Sequence, residues 1–263
     1  MDGIELLDAG SANAGLPAGV TGGFTTRAGG VSVSSWLGLN LALHVDDEVP
    51  RVLANRDLLR HRFGTGRVSF PNQVHGAGVS VVDEPRPDRR DTMRGGVEPL
   101  GAGGADALVT ALPGVPVGVL VADCLPVLLA DPVHRVVGAA HAGRRGLAAG
   151  VLQATVAAMT GLGADPATTE AVIGPAICGR CYEVPAEMRD EVDAVVAGTA
   201  TQTRVGTPGL DLPAGAGGVL AALGVAKVIN VGICTVEDER FYSYRRDGVT
   251  GRFAGVIVLD PDG

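Results

Sequence analysis

The sequence predicts a mixed α and β fold whose sheet is buried on both faces, and three observations carry that prediction. Short runs rich in valine and isoleucine recur along the chain and are apolar almost without interruption, as strands covered on both sides must be. Between them stand stretches whose apolar residues recur at helical spacing. Of 263 residues, 46% are hydrophobic and 19% charged, and a mean hydropathy of +0.27 supplies enough apolar side chain for a large core. The length suits one domain over 1–263, since single cores stop growing near roughly 250–300 residues.

In chain order, the first helix is set by Asp46-Asp-Glu-Val-Pro50, which puts acids and a proline ahead of Val52, Leu53, Leu59 and Phe63, with arginines late and Gly64 after. Strands are expected at 68–70 and 79–82. From Asp83 to Gly104 the chain turns to Pro, Arg, Asp and Gly with no apolar period. This is read as a long irregular loop, a lid or an insertion. Strands at 115–121, 127–129 and 136–140 come next, then one helix carried by Leu147, Val151, Leu152, Val156 and Met159. A strand at 172–173, a third helix from Pro185 through Met188 and Val192 to Val196, and strands at 228–233 and 256–259 complete the series. The sheet should be sandwiched by helices or by a second sheet.

Composition excludes several classes of function. The formal charge of −8 repels phosphate backbones and anionic lipid, so neither nucleic acid nor membrane is an expected partner, and nothing in the composition marks a protein-binding surface. The early acids Asp2, Glu5 and Asp8 stand where a secretory signal needs positive charge, and the apolar run 114–130 is broken by Asp123 and Pro126. A cytoplasmic location is expected. Four cysteines are too sparse for a disulfide scaffold and are read as thiols or metal ligands. The glycine runs beginning at Gly101 and Gly215 fit neither phosphate-loop template.

Three ligand-type residues stand at predicted strand ends. His75 lies in Pro71-Asn-Gln-Val-His-Gly-Ala-Gly, where glycines let backbone approach a site. Cys124 follows a buried strand within Ala122-Asp-Cys-Leu-Pro, so a carboxylate and a thiol emerge together. His141 ends another strand and precedes Ala142-Gly-Arg-Arg-Gly146. Two imidazoles and one thiolate suit zinc with its fourth position open, the arrangement of a catalytic ion. The spacing of the three carries no local metal signature, and ordinary packing of two polar residues and a small hydrophobe is the competing interpretation.

Cys178-Gly-Arg-Cys181 could be half of a zinc site or a redox pair. The sequence offers no second C-x-x-C, so the two are read as ordinary thiols near the site. Arginines gather where glycines crowd, at Arg27, at Arg144 and Arg145, and in Ser243-Tyr-Arg-Arg-Asp-Gly248. A planar guanidinium binds oxyanions bidentately, which points to an anionic reactant.

The stretches FTTRAGGVS (24–32), LNLALHVDD (39–47), NQVHG (72–76), ADALVT (105–110), VADCLPVLLAD (121–131), AAHAGRRGL (139–147), IGPAICGRCYEV (173–184) and FYSYRRDGVTGR (241–252) resemble, in order and over nearly the whole chain, the YfiH family, also called the laccase-domain or polyphenol oxidase family. The resemblance implies an α+β fold, a single-domain alpha-beta-beta-alpha sandwich, with metal ligands at His75, Cys124 and His141. It implies a zinc-dependent purine nucleoside phosphorylase acting on adenosine, inosine, guanosine or methylthioadenosine with phosphate, and adenosine deamination beside it. Arg27, Asn40, Gln73, Asp123 and Arg145 match the family's pattern. Arg27 and Arg145 are then expected to hold phosphate, and Asp123 to carry a proton or orient a ligand. Arg144 departs from that pattern, standing where the family has tryptophan, so a base-stacking contact is not expected there.

Three other readings remain at this stage. Two histidines and a cysteine are also the equatorial set of a blue-copper centre, which makes a copper polyphenol oxidase the alternative. A multicopper oxidase needs further histidines in H-x-H pairs, and this chain has five histidines and no such pair. A Cys-His hydrolase would use Cys124 as nucleophile without metal. A peptidoglycan-editing role, sometimes assigned to the family, is the fourth.

Overall fold

A computed structural model of the chain describes residues 5–8, 15–63, 66–84 and 104–261. Strands β1 (Leu6–Asp8), β2 (Val20–Thr25), β5 (Val117–Val121) and β12 (Phe253–Leu259) form one antiparallel sheet in the order β1-β2-β12-β5. A second, mixed sheet runs β11-β8-β6-β7-β4-β3, from β11 (Lys227–Asn230), β8 (Glu170–Ile173), β6 (Leu125–Asp131), β7 (Val136–Ala142), β4 (Ala107–Thr110) and β3 (Val79–Val81). A small ribbon pairs β9 (Ala200–Gln202) with β10 (Pro208–Leu210).

Alternation along the strands builds three apolar layers. Leu128, Ala130, Val137 and Ala139 face Val117, Val119, Ile257 and Leu259 between the two sheets. The intervening residues Val127, Leu129, Val136 and Ala140 pack outward on helix α3 (Val151–Gly161) and helix α5 (Leu212–Ala222). On the opposite side, Leu120, Val256 and Val258 meet Leu59 and Phe63 of α1 (Val49–Phe63). With period two and both faces covered, every residue of β5, β6, β7 and β12 is buried. The order of layers is helix, sheet, sheet, helix, so the expected α+β sandwich is found.

The elements depart from the sequence reading in instructive places. The helix expected through Leu147 to Met159 is two helices, α2 (Arg144–Ala148) and α3, separated by Gly150 at φ 89°. The run at 68–70 is no strand and makes a single parallel bridge, Ser69 with Val117. Helix α5 was hidden by its glycines. Asp211 caps it, accepting the Ala214 N–H at 3.0 Å, and Pro213 opens its first turn. The third expected helix is α4 (Ala186–Val195). The irregular loop expected at 83–104 lies almost wholly outside the described residues, as does Gly64. Among the described residues, no helix is long and apolar enough to cross a membrane.

Candidate metal centre

Sheet register brings the site together at one end of the six-stranded sheet. Cys124 sits at the corner where the chain leaves β5 in one sheet and enters β6 in the other. Beside it, β6 pairs Leu125 with Ala142 and Pro126 with His141, so the thiol and the imidazole become neighbours. On the far side of β7, strand β4 pairs Ala107 with Ala140, which carries Asp106 next to His141. Their backbones join through His141 N–H to the Asp106 carbonyl at 2.7 Å.

Asp106 is the organising group, and the sequence reading did not single it out. Its fully buried carboxylate accepts N–H bonds from Val74, His75 and Gly76 at 3.2, 2.9 and 2.7 Å, and a fourth from His141 Nδ1 at 2.8 Å. These bonds wrap the loop at 74–76 around one carboxylate and hold His75 at φ 60°, a left-handed conformation that non-glycine residues keep only where the surroundings over-determine it. Burial alone would raise the Asp106 carboxyl, but the bonds from His141 and from the Gly76 and Val74 amides outweigh it and hold it below the usual carboxylate range. A carboxylate only accepts. His141 therefore keeps a proton on Nδ1 and turns Nε2 toward the cavity, where a bound ion would take the place of the second ring proton.

His75 Nε2 lies 3.9 Å from Cys124 Sγ, the two imidazoles cross edge to face at 4.7 Å, and the three donor atoms all fall within 4.8 Å of one another. Burial pushes the Cys124 thiol up, but His141 and His75 more than offset this and bring it down to about 6. Burial likewise works against the His141 imidazolium, and the Cys124 thiolate and Asp106 override it, raising the ring to about 9. The pocket is thus set to hold a thiolate at neutral pH, the form in which cysteine binds metals.

Two glycines make room. A Cβ on Gly143 would stand 2.9 Å from Cys124 Sγ and 3.0 Å from His75 Cδ2, inside the donor cluster, and one on Gly146 would meet the Gly76 carbonyl at 2.8 Å. Their bare Cα atoms let α2 lie against the 75–76 loop and leave space among the donors. Two nitrogens, a thiolate and an adjoining space fit a four-coordinate ion with one position open to solvent or reactant.

The donors open onto a cavity of ≈ 710 Å³, within the roughly 300–1,000 Å³ range of small-molecule sites. Gln73, Asp123, Tyr182 and Tyr244 line it, together with the guanidinium side chains of Arg144, Arg245 and Arg252. Gln73 is clamped to Leu120, donating to its carbonyl at 2.8 Å and accepting its N–H at 2.9 Å. Asp123, at φ 90°, accepts Thr235 Oγ1–H and the Arg245 amide, each at 2.6 Å. Arg144 has no hydrogen-bond or ion-pair partner among the described residues. Burial lowers the Arg252 guanidinium from its ordinary value, with Cys124 and Asp123 opposing.

The other expected site residues stand around this cavity and do not line it. Arg27 lies 4.9 Å over the Tyr242 ring and donates to the Leu37 carbonyl at 3.3 Å. Asn40 is fully buried, donating to Asp47 at 2.8 Å and accepting the Arg252 amide at 2.9 Å. Arg145 is exposed and reaches the Val74 carbonyl at 3.4 Å.

Two packed sheets flanked by helices, with two imidazoles and a thiol converging beside a cationic cavity, define a chain that can hold a metal ion next to a small reactant. The family profile described as "Multi-copper polyphenol oxidoreductase laccase" matches residues 21–260, and the chain belongs to that family, the YfiH or laccase-domain family. A Streptomyces coelicolor protein named as a purine nucleoside phosphorylase is 50% identical over 240 residues, covering 90% of this chain and 95% of that protein. A Mycobacterium tuberculosis protein of the same name is 43% identical, covering 90% of each. Among solved structures, YlmD from Geobacillus stearothermophilus is similar with a TM-score of 0.84 and 32% identity, covering 94% of this chain and 95% of that one. A Neisseria meningitidis protein is similar with a TM-score of 0.81 and 37% identity, covering 97% and 99%.

Proposed function

We propose that this protein is a purine nucleoside phosphorylase that takes adenosine, inosine, guanosine or methylthioadenosine with phosphate, holds zinc on His75, Cys124 and His141, and deaminates adenosine as a side reaction. The observation that carries this reading is the meeting, in one cavity, of a metal-ligand set with three guanidinium side chains. The relatives that bear the phosphorylase name support it.

Phosphorolysis joins a phosphate oxygen to C1′ of the ribose and breaks the bond from C1′ to the purine, whose nitrogen leaves with the electron pair and takes up a proton. The anion must be held against the sugar while positive charge grows on that carbon. Arg144, Arg245 and Arg252 are assigned to phosphate because they line the cavity and offer planar, permanently charged donors. Arg144 is the most available of the three. Asp123 acts by position, tying Thr235 and the Arg245 backbone to the corner that presents Cys124. Arg145 braces the loop that carries His75, and Gln73 fixes that loop to the end of β5. Zinc bound by this set would supply Lewis acidity beside the departing base. Asp106 keeps His141 in the tautomer that can bind it.

A second reading rests on a different feature of the same residues. Cys124, His141 and Asp106 stand in the order of a nucleophile, its base and the group that orients the base, which is the arrangement of a metal-independent thiol hydrolase. Mass spectrometry of the products from adenosine, with and without phosphate and before and after exhaustive chelation, separates the two. The phosphorylase reading predicts adenine and ribose 1-phosphate only when phosphate is present, and loss of both on chelation. Phosphate-independent turnover that survives chelation but not thiol alkylation would replace it with the hydrolase.

A further inference from the structure

The second C-x-x-C that the sequence lacks is supplied, in space, by a C-x-x-E. Cys178 and Cys181 close one tight turn, with the Cys181 and Tyr182 amides bonded to the Cys178 carbonyl at 2.9 and 3.0 Å. Cys234 and Glu237 close another, with the Glu237 and Asp238 amides bonded to the Cys234 carbonyl at 3.1 and 2.9 Å. The turns face each other across a parallel bridge between Ala176 and Cys234. Each turn projects two donors to the same side, and the four donor atoms lie within 4.8 Å of one another.

We propose that Cys178, Cys181, Cys234 and Glu237 form a second metal site, a closed structural zinc site distinct from the cavity centre. Three thiolates select a soft, thiophilic ion, and four protein donors leave no position for a reactant. Zinc–sulfur bonds of about 2.3 Å in a tetrahedron set donor separations of about 3.8 Å, and the Glu237 oxygen stands 3.3 Å from Cys181 Sγ and 4.0 Å from Cys178 Sγ, on either side of that value. The Cys178 amide already points at Cys234 Sγ at 3.4 Å, as an amide does toward a thiolate ligand. Zinc with three thiolates and a carboxylate carries surplus negative charge, and two cations are in place for it. Arg204 reaches Cys181 Sγ at 3.3 Å and is ion-paired with Glu237, while Arg180 lies 3.9 Å from the same carboxylate.

The consequence is a brace for one wall of the cavity. Residues next to the cluster hold Asp123 in place: the Ile177 amide bonds its carbonyl at 2.9 Å and Thr235 its carboxylate at 2.6 Å. Tyr182, adjoining Cys181, lines the cavity and lies under Arg245, 5.2 Å from its guanidinium. An ion joining the two turns would fix this wall without touching the reactant.

The test is zinc per chain in the full-length protein purified under reducing conditions, read alongside cobalt spectra. Wild type should carry two equivalents, Cys124→Ala one, Cys181→Ser one, and the double variant none. The Cys124→Ala chain reloaded with cobalt should keep an intense thiolate-to-cobalt absorption, a readout that needs no substitution at the cluster and so stands even if Cys181→Ser folds poorly; absence of that absorption would overturn the proposal. A wild-type chain with a single equivalent that Cys124→Ala removes completely would overturn the proposal. So would a titration of the denatured, unreduced protein that finds two thiols missing, since a disulfide would then occupy the place of the ion. Neither result bears on whether the cavity centre performs phosphorolysis.

Discussion

The two donor clusters of this chain use the same element, sulfur, to opposite ends. At the cavity, one thiol is joined by two imidazoles, an Asp106 carboxylate orients one ring and holds the loop of the other, and glycines keep space beside the donors. At the Cys178 cluster, three thiols and a carboxylate converge from two turns, with Arg204 and Arg180 beside the carboxylate. An open position is built by residues that are not ligands at all, namely Gly143, Gly146 and Asp106. A closed one needs only two facing turns. On the two proposals above, chemistry belongs to the first and bracing to the second.

That contrast can be broken most sharply at Gly143. A methyl group there would collide with Cys124 Sγ and His75 Cδ2, so Gly143→Ala should empty the cavity centre of metal and abolish turnover while leaving the cysteine cluster loaded. Metal analysis and product assay on one sample check this, and equal loss from both sites would show that the clusters are not independent. Next in size, Asp106→Asn removes the acceptor that orders His141 and the 74–76 loop. A loss of about 10–100-fold in cavity-metal affinity is expected, the usual cost of deleting a carboxylate behind a metal-binding histidine, and competition with a chromophoric chelator measures it. Arg144→Ala should leave both metals in place and raise the KM for phosphate by about 10–100-fold, the worth of a charged hydrogen bond of about 1.5–3 kcal/mol.

The smallest effect lies away from both clusters, at the far end of β6. Buried Asp131 accepts bonds from the amides of Val133, His134 and Asp165, from the His134 ring and from Thr168. Burial raises its carboxyl, but the amides of Asp165 and His134, with the His134 ring and Thr168, bring it down to about 2. Carboxylates in the unfolded chain titrate near ~3.9. The stabilisation is therefore complete above that value and drains away as pH falls through about 2. Asp131→Asn should cost about 1–3 kcal/mol at neutral pH by stranding buried donors. In urea titrations the gap from wild type should narrow as the buffer is taken from pH 5 toward 2, and at neutral pH the metal content of Asp131→Asn should equal that of wild type.

How much of this was legible in the sequence depends on how local each signal is. The strands of the double sheet announce themselves, because residues buried on both faces are apolar at every position. His75, Cys124 and His141 stood out as ligand-type residues at strand ends. Asp106 did not, because an acid before a four-residue strand looks like a turn residue until β4 and β7 are paired. Helix α5 was masked by glycines that its Asp211 cap and packing overrule, and the break at Gly150 was masked by an unbroken apolar stripe. Cys234 and Glu237 could not be joined to Cys178 and Cys181 from sequence, since the two turns are far apart in the chain and meet only through a short parallel bridge between Ala176 and Cys234. Two of the arginines that line the cavity, Arg144 and Arg245, belong to the glycine-rich clusters noted at the outset, and Arg252 stands outside them. Which member of each cluster faces inward is decided by α2 and by the Asp123 anchor on Arg245.

The most direct test of the central claim, that His75, Cys124 and His141 hold one ion at which the chemistry occurs, is phosphate-dependent release of adenine from adenosine by Cys124→Ala, with metal counted on the same sample. The prediction is no release above background and the loss of one equivalent. Release at near wild-type rate would contradict it.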